Sequence, residues 1–152
     1  MRHLVVFILF LFFVGGKMFG GMLAAQQPQC SYENGRIQFS HHDVVDDKDR
    51  LTVRITYTYD DSGIVLYRTL TSFDKQGHIS RREQYTAADF LLVEEDFKYD
   101  RHENLVRRTV IFYDEETGEK SRTIETRQYS YASDGTILHT RYYINGTAYY
   151  EN

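Results

Sequence analysis

The chain of 152 residues is poor in the features that usually stiffen or specialise a protein: it has one cysteine, one proline and no tryptophan. A single cysteine, Cys30, cannot close an internal disulfide, so an oxidising compartment would supply no staple. It is a free thiol or a site of intermolecular pairing. The only proline, Pro28, stands ahead of the patterned region and leaves the rest without a proline-imposed break. Helix signals are also scarce, since no segment combines a cap with a 3.6-residue apolar period. What fills the space is thirteen tyrosines, many threonines and many arginines. Tyrosine and threonine are strand formers, so an all-β chain is expected.

Positive charge is short as well. Residues 1–25 hold Arg2 and Lys17 but no acid, so the remainder carries 16 basic side chains against 22 acidic ones, a formal charge of −6. That balance speaks against nucleic acid as a partner, because such binding rests on neutralising phosphates. The one long apolar run is Leu4 to Val14, behind the basic start Met1-Arg2-His3 and ahead of the small-residue stretch ending "GGMLAA". This is the layout of a secretory signal peptide, with cleavage expected after Ala25. The run is about half of the roughly 20 apolar residues that span a bilayer, so no stable membrane span is expected once the signal is removed. A lipoprotein reading of Cys30 fits less well, because Gln29 rather than a small residue precedes it. Residues 26–152 are then expected to form a single secreted, periplasmic or cell-surface domain.

One phrase recurs along that domain: an aromatic, an aspartate, a few polar residues, then glycine or asparagine. "YTYDDSG" at 57, "FKYDRHEN" at 97 and "IFYDEETG" at 111 are examples. The aromatics Tyr59, Phe73, Tyr85, Tyr99, Tyr113, Tyr131 and Tyr143 keep a nearly regular spacing. Their mean step, about 14 residues, leaves about nine for each strand after a short turn, or roughly 30 Å. The reading is an antiparallel meander of about eight to ten strands, with its core at residues 51–146, forming one long twisted or curled sheet or two loosely packed ones. Aspartate at the head of "DDSG" and "DKQG" can accept hydrogen bonds from the backbone two residues on, and glycine takes the positive φ that closes the turn. "DRHEN" and "DEETG" read as one residue longer, with Asn104 and Gly118 at the left-handed position. Turn chemistry therefore accounts for these aspartates without catalysis.

"ENGR" (33–36) and "INGT" (144–147) carry Asn-Gly, the strongest two-residue hairpin signal. A two-residue loop sets Glu33 opposite Arg36 and Tyr32 opposite Ile37. At the second it sets Ile144 opposite Thr147, Tyr142 opposite Tyr149, and Arg141 opposite Tyr150. "LTVRITYTY" alternates as a half-buried strand, with Leu51, Val53, Ile55, Tyr57 and Tyr59 on one face. "LLVEEDFKY" does so with Glu95 as an intruder, and "LVRRTVIFY" is mixed, so both its faces should be partly covered. "SHHDVVDDKDR" (40–50) reads as a solvated loop, and "YTAADFL" (85–91) as a degenerate hairpin turn. Aliphatic residues are too few for a thick core, and long polar stems must cover part of the sheet.

At "YTYDDSGIV" (57–65), "FKYDRHENLV" (97–106) and "YSYASDGTIL" (129–138) the chain resembles YD-repeat, RHS-type proteins. The likeness runs over about residues 51–146. It implies a β-hairpin repeat whose units are structural, with no catalytic residue to carry over. It also implies kinship in style with small secreted single-domain proteins built from a few such hairpins.

The chemistry-bearing residues form few patterns. His41, His42 and Asp43, with Asp46, Asp47 and Asp49, are rich in metal-ligand types, but adjacent histidines in an extended chain point to opposite sides. No H-x-x-x-H or H-x-H spacing and no EF-hand pattern occurs, so neither a metal nor any other cofactor is expected. No G-x-S-x-G or glycine-rich phosphate loop occurs either, and no catalytic residue is assigned. The best candidate surface is "RYYINGTAYY" at the C-terminus, with Arg141, Tyr142, Tyr143, Tyr149 and Tyr150 as binding residues. Its last strand is an expected sheet edge, open to strand addition. The expectation is a non-catalytic module binding an extracellular protein or glycan. The alternatives are a structural unit that self-associates edge to edge, and a small metal-dependent hydrolase built on residues 41–49.

Overall fold

The computed structural model describes residues 29–33 and 35–151, the last two by backbone alone. The expected signal peptide, residues 1–25, lies outside them. The described chain is all β: β1 (Gln29–Glu33), β2 (Arg36–Val45), β3 (Leu51–Tyr59), β4 (Val65–Phe73), β5 (Ile79–Thr86), β6 (Leu91–Tyr99), β7 (Leu105–Tyr113), β8 (Lys120–Tyr131), β9 (Ile137–Ile144) and β10 (Thr147–Glu151). All ten lie in one antiparallel sheet in chain order, and the sheet does not close. Among the described residues no strand touches any strand but its neighbours in sequence. Of the two expected arrangements, then, the single layer is the one formed.

The repeated phrase explains itself at the turns. Asp60 N–H donates to the Ile64 carbonyl at 2.9 Å and Gly63 N–H to the Asp60 carbonyl at 3.0 Å. Meanwhile the Asp60 carboxylate accepts from Ser62 N–H at 2.8 Å and Ile64 N–H at 2.9 Å. Gly63 sits at φ 84, the left-handed region that ends a type I turn in a one-residue bulge. Asp74 and Asp100 repeat the arrangement on residues 74–78 and 100–104. Asp46 does the same on 46–50. At Thr86 the hydroxyl takes the aspartate's place and accepts from Phe90 N–H at 3.2 Å, so the hairpin turn expected within 85–91 is found at 86–90, with Tyr85 and Leu91 paired as strand residues.

Two expectations change here. "DRHEN" is no longer than its siblings, and the left-handed residue is Glu103 at φ 66, not Asn104. Only "DEETG" is longer, closing from Asp114 N–H to the Glu119 carbonyl with Gly118 at φ 70. Residues 40–45 are strand rather than loop: β2 pairs with β3 from Phe39 opposite Thr58 to Val45 opposite Leu51, which confines the turn to 46–50. The run of polar residues misled because a one-layer sheet requires no apolar face.

The aromatic before each turn has its own task. At one end of the sheet, the Tyr99 ring stacks on His78 with centroids 4.6 Å apart, and its hydroxyl donates to the Ile79 carbonyl at 3.1 Å. One hairpin further on, Tyr131 stacks on His102 at 4.2 Å and bonds the Asp100 carboxylate. Each of these aromatics leans on the earlier turn at the same end, and each aspartate builds its own turn. At this end of the sheet the phrase recurs because both jobs recur, whereas at the other end the hydroxyls of Tyr59 and Tyr113 meet Ser40 and Glu94 on the neighbouring strand.

Burial is slight. Val110 at 4% exposure is the one buried hydrophobic residue among the described residues, and the other buried side chains are Ser40, Thr71, Glu95 and Thr109. In β3 both the apolar and the threonine face are half-covered, so the expected contrast between a buried and an open face is absent. With no second layer, a side chain is shielded only by its cross-strand neighbours. That shielding is greatest in the middle of β7, where Thr109 and Val110 are buried on opposite faces.

Candidate functional site

Cross-strand partners share a face, so the register sorts the surface into two sides. The front carries Tyr57, Arg68, Tyr85, Arg81, Asp96, Arg107, Arg122 and Tyr143. The back carries Arg54, Thr71, Arg82, Glu95, Val110, Thr123 and Tyr142.

The expected C-terminal patch does not form one surface. Thr147 faces Ile144 and Ala148 faces Tyr143, but a bulge at Tyr149 then sets Tyr150 opposite Tyr142 and Glu151 opposite Arg141. The predicted pairs of Tyr142 with Tyr149 and Arg141 with Tyr150 are therefore absent, because the extra residue shifts the register by one. Arg141 and Tyr143 lie on the front and Tyr142 on the back. Tyr149 is 70% exposed at the bulge, and the Tyr150 side chain is outside the described set. The cation over the Tyr142 ring is Arg127, at 5.4 Å. The Asn-Gly turn itself forms as expected, with Asn145 at φ 50 and Gly146 at φ 83. Asn145 also bonds β8, where its amide oxygen accepts from Ile124 N–H at 2.8 Å. At the other hairpin the expected register is found, Tyr32 opposite Ile37 and Glu33 opposite Arg36, while Arg36 reaches Asp61 at 3.9 Å.

The back face is a ladder of neutralised charge. Glu95, the intruder of β6, is 4% exposed and held by Arg82 at 3.1 Å and by Arg108, whose Nε lies at 2.8 Å. Arg108 continues to Glu125 at 3.1 Å. Nearer β1, Arg54 clasps Asp43 in a two-pronged bond at 2.7 Å. This charged donor holds the Asp43 carboxyl below its ordinary range. Sequence reading missed the ladder. Arg82, Glu95, Arg108 and Glu125 are mid-strand charges on four successive strands, and only the register shows that the signs meet.

The front face differs between its halves. Arg68 stands over the Tyr85 ring at 4.8 Å and pairs with Asp89 at 3.0 Å. Arg81 binds Glu83 at 2.8 Å and Glu94 at 3.0 Å, and Glu94 accepts the Tyr113 hydroxyl, which raises the tyrosine's pKa. From β6 to β8 the pattern stops. Lys98, Arg107, Lys120 and Arg122 have no ion pair or side-chain hydrogen bond among the described residues. Lys98 and Arg107 are direct cross-strand partners. With Arg122, Asp96, Thr109 and Ile111 they line a concavity of about 370 Å³, and the Arg107 Nε, like the Arg68 Nε, is buried without a hydrogen-bond partner among the described residues.

Charge is also segregated along the strands. The ten strands hold twelve basic and eight acidic residues, whereas the turns hold four basic and fourteen acidic ones. The acidity of the chain belongs to its rims. His41 and His42 lie on opposite faces, opposite Thr56 and Ile55. Among the described residues no group of three His, Cys, Asp or Glu side chains is placed to hold a metal. No helix among them is long and apolar enough to cross a membrane. No protein-family model matches the chain, and no curated protein matches it in sequence.

Proposed function

We propose that this is a secreted, non-catalytic binding module that uses a face of its open sheet to hold an extracellular partner, a glycan or a protein. The single-layer architecture carries this reading. Folding a chain into one layer leaves both faces to solvent, and open apolar surface of this kind is a common mark of a binding site. Phe39 is 47% exposed, Phe112 49% and Tyr149 70%. The signal-like start supports export, and the YD-like grammar supports a repeat whose units are structural. A screen of the purified protein against glycan and extracellular-protein arrays tests the reading; a lack of saturable binding on both would defeat it.

A second reading, assembly through an edge, has one observation in its favour. β10 pairs with only the last four residues of β9, so the outer edge of residues 137–140 has no strand partner among the described residues. Leu138, on that stretch, is 56% exposed. Against it, both outer strands are five residues long and each pairing contains a bulge. Short, bulged edges are the usual means of blunting strand addition. Sedimentation equilibrium decides: growth of mass with concentration favours assembly.

A further inference from the structure

We propose that the front face of β6, β7 and β8 is a binding site for an acidic glycan, with Lys98, Arg107 and Arg122 as the residues that hold its sulfate or carboxylate groups. This rests on the binding-module reading above and narrows it to one site and one ligand class.

The argument begins with pairing. Arg54, Arg68, Arg81 and Arg82, the cations of β3 to β5, each have a carboxylate at 2.7 to 3.1 Å. On the next three strands Arg108 has two carboxylates and Arg127 a tyrosine ring. Lys98, Arg107, Lys120 and Arg122 have neither among the described residues, and all four lie on the front. Cross-strand placement of like charges is unfavourable. Lys98 and Arg107 are nevertheless direct partners, with only Asp96 among the acids lining their hollow. Two guanidinium nitrogens are buried without an acceptor among the described residues, the Arg68 Nε and the Arg107 Nε; Arg68 is paired through another of its nitrogens with Asp89, whereas Arg107 has no anion among those residues. The hollow, about 370 Å³, falls in the size range of small-ligand sites. Beside it on the same face Arg107 is followed across the sheet by Thr126 and Tyr143, which adds one ring of the kind that packs against sugars.

The rims choose between polyanions. Asp100, Glu103 and Asp134 close one end of these strands, and Asp114, Glu115, Glu116 and Glu119 the other. Duplex DNA carries a charge about every 1.7 Å along its axis, so a duplex seated on this face would press phosphates against both rims. A glycan whose anionic groups are separated by neutral ring atoms can place them on the cations and stay clear of the acids.

Affinity electrophoresis of the purified protein in dextran sulfate, polygalacturonate and neutral dextran, with a short DNA duplex as competitor, tests this. The expected result is retardation by both acidic polysaccharides and none by neutral dextran, weakening roughly tenfold as salt rises from about 50 to about 200 mM. K98Q/R107Q/R122Q should lose roughly tenfold or more in affinity, with its urea midpoint unchanged. K75Q/R101Q, which removes two turn cations, should bind within about twofold of the parent. If the triple variant fails to fold, R122Q alone, at an exposed position, should still weaken binding several-fold. Full binding by the cation variants, an equal loss in K75Q/R101Q, preference for the duplex, or no retardation at all would each overturn the site. Should the arrays then return a ligand insensitive to K98Q/R107Q/R122Q, this site falls while the binding-module reading stands.

Discussion

The two faces of this sheet are made from alternate residues of the same strands, yet they handle charge in opposite ways. On the back, Glu95 is enclosed between Arg82 and Arg108, and Arg108 passes on to Glu125, so each of these charges is answered. On the front, between β6 and β8, Lys98, Arg107 and Arg122 are left unanswered around one hollow. A charge network inside a fold contributes to stability only when it is complete, because a shielded charge left alone costs about 3–5 kcal/mol. An incomplete network at a surface is a liability for folding and an opportunity for binding. The comparison teaches that in a layer without a core, completed ion pairs and unpaired cations can be sorted to different sides of one strand.

Both sides share the same rims, so acid should act on the comparison most completely. Hydrogen bonds from neighbouring groups hold the carboxyls of Asp46 (to about 2, chiefly by the Arg50 side chain), Asp60 (chiefly by Ser62) and Asp114 and Asp134 (chiefly by the backbone N–H of Thr117 and Thr136) below their ordinary values. At Asp74 and Asp100 burial opposes ionisation, but backbone donors, with Tyr131 at Asp100, still win. A carboxyl whose folded pKa is depressed stabilises the fold above its unfolded pKa of about 3.9 and loses that contribution as pH falls through the folded value. Unfolding followed by circular dichroism should therefore show stability level above about pH 5 and falling steadily towards about pH 2. A flat profile over that window would remove the rims from the account.

Among substitutions, Glu95→Ala should cost the most, about 3 kcal/mol in urea unfolding, because it strands the half-shielded Arg82 guanidinium and leaves Arg108 with Glu125 alone. R107Q or R122Q should cost less than about 0.5 kcal/mol. Equal costs on the two faces would break the comparison. Next comes Asp100→Ala, which removes an acceptor from two backbone N–H groups and from Tyr131. Its expected loss, read from the same urea curves, is about 1.5 kcal/mol. The smallest pair has opposite signs and concerns two left-handed positions, Gly77 at φ 91 and Glu103 at φ 66. Gly77→Ala should lose about 1 kcal/mol, while Glu103→Gly should gain about 0.5 kcal/mol. Thermal melts of the two variants, read side by side, check whether one turn geometry governs both positions.

Much of the layer was legible because turns are local. Asp60 needs only the next four residues to build its turn, and Asn145-Gly146 takes its shape from its own two residues, so both could be read from spacing. The largest error was residues 40–45, whose polar run hid a strand; the others came where a single residue counts. One bulge at Tyr149 separated Tyr142 from its expected partner, and a glutamate accepted a conformation usually left to glycine. The candidate site was not legible. Lys98, Arg107 and Arg122 stand on three different strands with no motif to join them, and they share a face only through the pairings of β6 with β7 and β7 with β8.

By itself, then, the sequence determined most of the strands, the turns and the antiparallel order, since each turn is spelled by side chains acting on their own backbone over a few residues. Whether the ribbon would stay one layer, which sides would meet, and which charges would find partners was decided only by tertiary structure. Pairing across strands depends on registers that a one-residue bulge can reset, and no local signal records their sum.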